Sequence, residues 1–172
     1  FYKIYFSEEK KPIIKKKINE DQLSNQSQNN LIKNLKYEVK LDQNKQYIIT
    51  SDLSEITYDN NVELVKMQKV IAIFIDKNNI PLTVISDKAI YNNSNYNTKF
   101  RENVKIEYLD NIILADKMDF DFVNNLVKIY QNVEYKGLKG NISTDNIEID
   151  LITKHIKIYM DNTNNNVKVV TK

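Results

Sequence analysis

Two carboxylate pairs, Asp119/Asp121 and Glu148/Asp150, bring together the residue type that general acid–base catalysis uses. Their spacing points away from catalysis. Each pair alternates with apolar residues (Met118, Phe120 and Phe122; Ile147, Ile149 and Leu151), so on a strand the carboxylates share the solvated face. His155 is the sole histidine, which excludes histidine-built metal clusters and triads. The chain has no cysteine and therefore no disulfide or thiolate chemistry. "GLKG" at 137–140 is too short for a phosphate-cradling loop. Eleven tyrosines would serve as stacking platforms, yet most stand in strand-prone runs where tyrosine is favoured anyway. The residues therefore predict no enzyme, no cofactor and no metal.

A second pattern is more informative. "YIITSDLSEITYDN", "LTVISDKAIYNN", "IILADKMDFDF" and "NISTDNIEIDL" each carry a β-prone run, a small residue and an aspartate. The aspartates are Asp52, Asp87, Asp116 and Asp145, separated by 35, 29 and 29 residues. Calcium ligation by these aspartates would need glycine-rich loops with convergent oxygens, and the chain has only two glycines. In the third copy Ile112 and Leu114 share parity with Met118, Phe120 and Phe122, and Asp116 falls on that same parity. An aspartate aimed into an apolar interior is costly. A bend, bulge or sheet edge is predicted at each copy, with the carboxylate capping backbone N–H groups.

The elements around these aspartates alternate with a period of two, as in "LKYEVKL", "NVKIEYL", "NIEIDL" and "HIKIYM". Asparagine-rich clusters separate them at roughly ten-residue spacing, a pattern of short antiparallel strands. Asparagine tolerates left-handed backbone, so it takes over the turns that glycine and proline usually make. Hydrophobic residues are 41% and charged residues 28% of the 172, enough for one all-β domain with a substantial core. The 29-residue period predicts a stacked two-strand unit whose copies build two facing antiparallel sheets over a long apolar interior.

The formal charge of +2 is unevenly placed. Residues 1–34 hold seven lysines against four acids, whereas the remainder carries 18 basic and 19 acidic residues. A folded part with no positive excess predicts no nucleic-acid partner. "FYKIYF" (1–6) is expected to be the remnant of an N-terminal membrane anchor, although the lysine-rich "KKPIIKKK" after it runs against the positive-inside tendency. Residues 7–34 are expected to be a polar linker, with a helical turn near Glu20–Leu23, and 35–172 the β domain. The interior of that domain either packs shut or stays open as a groove for acyl chains.

"LTVISDKAIYNNSNYNTKFRENVKIEY" and "IILADKMDFDFVNNLVKIYQNVEYKG" resemble the OstA-like repeat of the lipopolysaccharide-transport proteins. The preceding "LKYEVKLDQNKQYIITSDLSEITYDNNVELVKMQKVIAIF" is similar to the first part of the LptC family. The resemblance implies a twisted, partly open β-jellyroll, a "taco" of two antiparallel sheets, with lipid A acyl chains held between them. It implies a periplasmic, non-enzymatic protein anchored in the bacterial inner membrane. It also implies edge-to-edge pairing with the inner-membrane ABC transporter through the N-terminal strand (Tyr37, Val39, Leu41). An LptA-like periplasmic bridge protein would pair with the C-terminal strand (Val167, Val169). Within that frame, strand parity nominates Ile49, Val84, Ile106, Tyr108, Leu114, Phe120, Ile129, Ile149 and Ile158 as lipid-facing.

Overall fold

The structure is a computed structural model that describes residues 13–15, 31–41, 45–75, 80–153, 155–162 and 164–171. The expected anchor remnant and the helical turn at Glu20–Leu23 lie outside these residues. Among the described residues eleven antiparallel strands form one sheet: β1 (Ile13–Lys15), β2 (Leu31–Leu41), β3 (Lys45–Asp59), β4 (Val62–Ile75), β5 (Pro81–Asn92) and β6 (Thr98–Tyr108). They continue as β7 (Asn111–Asp121), β8 (Leu126–Gly137), β9 (Gly140–Asp150), β10 (Ile156–Tyr159) and β11 (Lys168–Thr171). From β1 to β10 the order in the sheet is the order in the chain, and β11 lies on β9 end to end with β10. The sheet does not close on itself.

The two facing sheets arise because each long strand is folded over a common crease. At the crease Asn34, Lys69, Glu102, Asn103, Gln131 and Asn132 adopt left-handed backbone, with φ between 51° and 67°. They lie on β2, β4, β6 and β8. The repeated aspartates lie on the strands between, so Asp52 falls in the pairing gap between Asn34 and Lys69, and Asp87 in the gap beside Lys69. From β5 onward the ladder slips there, between Ile85/Lys88, Arg101/Val104, Leu114/Lys117 and Tyr130/Val133. Such bulges bend a strand and raise its twist. The small residue before each aspartate, Ser51, Ser86, Ala115 or Thr144, is buried at the fold, where a larger side chain would hold the leaves apart.

The aspartates do less backbone capping than the sequence predicts. Asp87 accepts from Lys69 Nζ at 2.9 Å and Asn103 Nδ2 at 2.5 Å, and Asp116 accepts from Asn132 Nδ2 at 2.6 Å. Only Asp145 among the four shows a backbone donor, the N–H of Asp161 at 3.0 Å. The carboxylates therefore mainly stitch neighbouring strands along the outside of the crease.

One leaf carries the inward row Tyr37, Ile49, Ala72, Val84, Ile106, Ile113, Tyr135 and Ile142. The other carries Ile32, Ser54, Met67, Ala89, Phe100, Met118, Ile129 and Ile147. Aromatic contacts join the leaves: Tyr37 stacks on Tyr91 at 5.2 Å, and Phe120 meets Phe74 edge-on at 4.6 Å. Tyr47 and Thr98 share a buried hydroxyl–hydroxyl bond of 3.0 Å across the same gap.

Three expected boundaries shift. β2 begins at Leu31 rather than Leu35, because Asn34 is its crease residue and Leu31–Lys33 pair with Leu53–Glu55 on the far leaf. Ile13–Lys15, inside the expected linker, pair with Glu38–Lys40 on the outer edge of β2. The last strand starts at Lys168, leaving Val167 outside it. Its docking depends on Gly140, where a Cβ would collide with the Val170 carbonyl oxygen.

Candidate functional site

The interior changes character along the sheet. At the β2 end it is shut: Leu35, Tyr37 and Val39 are buried, as are Tyr47 and Ile49 on β3. At the other end the inward positions are open. Ile142, Ile149 and Leu151 are half-buried, Ile156 is 57% exposed, Ile158 37% and Val169 63%. Burying apolar surface is worth about 25 cal/mol per Å², so side chains of this kind left uncovered along an interior row mark a mouth. The mouth exists because β10 and β11, four residues each, extend the two leaves only briefly, β10 beside Asn146–Ile149 on one leaf and β11 beside Gly140–Ser143 on the other.

The nominated lipid-facing residues divide by this gradient. Ile49, Val84, Ile106, Phe120 and Ile129 are buried inside. Tyr108 shares the inward face with Ile106 but sits at the strand end, 38% exposed. Ile149 and Ile158 lie on the inner face at the mouth. Leu114 is the exception: it pairs with Lys105 and Glu134 on the outer face, and Ile113 takes the inward place. The bulge between Leu114 and Lys117 inverts parity, so one alternation does not run through Asp116. Ile113 was missed for that reason, and the aspartate phrase is the signal that would have found it. Ile142, Leu151 and Ile156 at the mouth were also missed, since the shortness of the last strands is not marked in the sequence.

For the partner edges, Tyr37 and Val39 turn their side chains into the interior, while β2 offers its backbone outward. That edge is partly covered, because β1 occupies Glu38–Lys40. Leu41 ends β2, and its side chain is outside what is described. Val169 lies on the terminal strand and Val167 just before it.

The carboxylate pairs are tied into the outer surface. Asp119 binds Arg101 at 2.6 Å and accepts from the Tyr130 hydroxyl at 3.2 Å. Bonds from the Asn124 side chain and backbone lower the pKa of Asp121. Glu148 faces Lys128 at 3.7 Å, and Asp150 is held low by the Thr153 and Ile152 N–H groups of its turn. Among the described residues no group of three or more His, Asp or Glu side chains is placed to hold a metal, and no helix is long and apolar enough to cross a membrane.

An all-antiparallel sheet creased into two leaves, with an apolar interior open along one edge, defines an open, twisted β-jellyroll. The family described as lipopolysaccharide-assembly, LptC-related, matches residues 2–166. The chain therefore belongs to the LptC family, and its role lies in lipopolysaccharide transport. No curated protein matches the chain.

Proposed function

We propose that this chain is a lipid conduit: it holds lipid A acyl chains between its leaves and passes lipopolysaccharide from an inner-membrane ABC transporter to the next periplasmic bridge protein. The observation that carries this reading is the single apolar row that runs from a shut end at Tyr37 to an open end at Val169. The interior residues Ile49, Val84, Ile106, Phe120 and Ile129 would contact acyl chains once the leaves part, and Ile149, Ile158 and Tyr108 would contact them at the rims. The transporter would add a strand at the β2 edge and the bridge protein one at β10 and β11, where unmade backbone hydrogen bonds supply affinity. An anchor preceding residue 7 would hold the chain at the inner membrane.

The test is photocrosslinking in lipopolysaccharide-bearing membranes, with the probe at Ile106 or Ile149 and at the outward Lys105 or Glu148 as controls. Lipid adducts at the inward pair alone are the expected outcome. The packed interior between β2 and β8, where Tyr47, Tyr91 and Phe100 are fully buried, favours a second reading. In it the chain is a closed module that joins partners through its edges. Adducts at none of the four positions, in a folded protein, would establish that reading instead.

A further inference from the structure

Several buried hydroxyls in this interior are paired. Tyr47 bonds Thr98, Ser51 bonds Ser54, Ser86 donates to the Lys88 carbonyl and Thr144 to the Tyr159 carbonyl. The Tyr37 hydroxyl has no partner; among the described residues it is the one buried side-chain polar atom left without a hydrogen bond. The residue is 4% exposed, so bulk water does not serve it. Leaving such a group unmade costs about 1–3 kcal/mol, and phenylalanine would fill the same space without that cost.

The position of Tyr37 gives the orphan a use. Its ring stacks on Tyr91 with 24° between planes, one ring from each leaf, at the shut end of the interior. Glu63, whose charge acts on both tyrosines, is already engaged by Asn93 Nδ2 at 3.2 Å and the Tyr58 hydroxyl at 3.5 Å. Burial together with that charge raises the Tyr37 pKa to about 12, so the hydroxyl keeps its proton and remains a donor.

We infer that the Tyr37 hydroxyl is a specificity-determining donor that bonds an acyl carbonyl or hydroxyl oxygen of a lipid entering between the leaves beside Tyr91. The inference rests on the conduit reading and refines it. An acyl chain carries a carbonyl at its head-group end, so a lipid whose head group stays outside the β2 edge holds an acceptor close to that edge, where Tyr37 stands. A plain hydrocarbon brings none. The end of the interior next to the β2 edge would thus prefer an acylated lipid over bare apolar matter of the same length.

The experiment compares the wild-type chain with Tyr37→Phe, using purified lipopolysaccharide and n-dodecane as probes. One hydrogen bond is worth about a fivefold change in affinity. Tyr37→Phe is expected to bind lipopolysaccharide about fivefold more weakly and dodecane unchanged, with a thermal midpoint equal to or above that of the wild type. Equal weakening for both probes would assign Tyr37 a packing role and overturn the inference. So would unchanged lipopolysaccharide affinity in the variant while the wild type binds it, leaving the conduit reading intact. A wild-type chain that binds neither probe would overturn that reading and this inference together.

Discussion

At the scale of single residues, the chain makes its sharpest bends with side chains that dislike them. A left-handed backbone costs a typical L-residue roughly 1–2 kcal/mol, less for asparagine. Asn132 combines left-handed backbone at φ 54° with a 2.6 Å bond to Asp116. Asn132→Ala is therefore expected to lose about 1–2 kcal/mol in urea unfolding, whereas Asn132→Gly stays within about 0.5 kcal/mol of the wild type because glycine adopts that backbone freely. Equal losses in both variants would shift the weight from conformation to the Asp116 bond. The repeated aspartates themselves were legible from the sequence as bends. What their carboxylates bind was not, because the partners lie one strand away at separations of 16 to 18 residues.

At the scale of elements, two-residue periodicity located β2, β6, β7, β9 and β10, since each of these strands shows polar and apolar faces that hydropathy registers directly. It failed where a strand crosses the crease. Leu114 and Phe120 share parity in the text but lie on opposite faces in space, because β7 folds over at Asp116 and its alternation restarts there, opposite the extra residue of β8. It also failed at β1, three residues whose strand character comes from the waiting edge of β2 rather than from their own pattern. Proline cannot donate to a ladder, so Ile14→Pro is expected to release β1. Faster hydrogen exchange would follow among the amides of Glu38–Lys40 that face β1, with Tyr47–Thr50 still protected by β4. Unchanged exchange would mean that β1 leaves that edge free.

At the scale of the whole molecule, one end of the interior is shut by aromatic contacts across the leaves and the other is left open by two short strands. A change at the open end should therefore separate stability from transport. Ile156 is more than half exposed, so Ile156→Lys is expected to cost no more than about 0.5 kcal/mol in unfolding. On the conduit reading it places a charge in the exit, so lipid adducts with a probe at Ile106 should accumulate while transfer to a bridge protein falls. Normal transfer in this variant would remove the mouth at β10 and β11 from the route. The open edge was only partly legible: Ile149 and Ile158 were nominated, but no local pattern says that the sheet stops before covering them.

The coincidence of chain order and sheet order has a consequence for assembly. Every ladder from β1 to β10 joins sequence neighbours, and the single skip is β11 onto β9. Most pairing thus closes short loops, which keeps the entropy of chain closure small and favours quick folding relative to sandwiches built from distant strands. Each finished hairpin is also a template for the next strand. A chain of this kind can zip up progressively from its first strands as it emerges from a translocation pore, without waiting for its C-terminus.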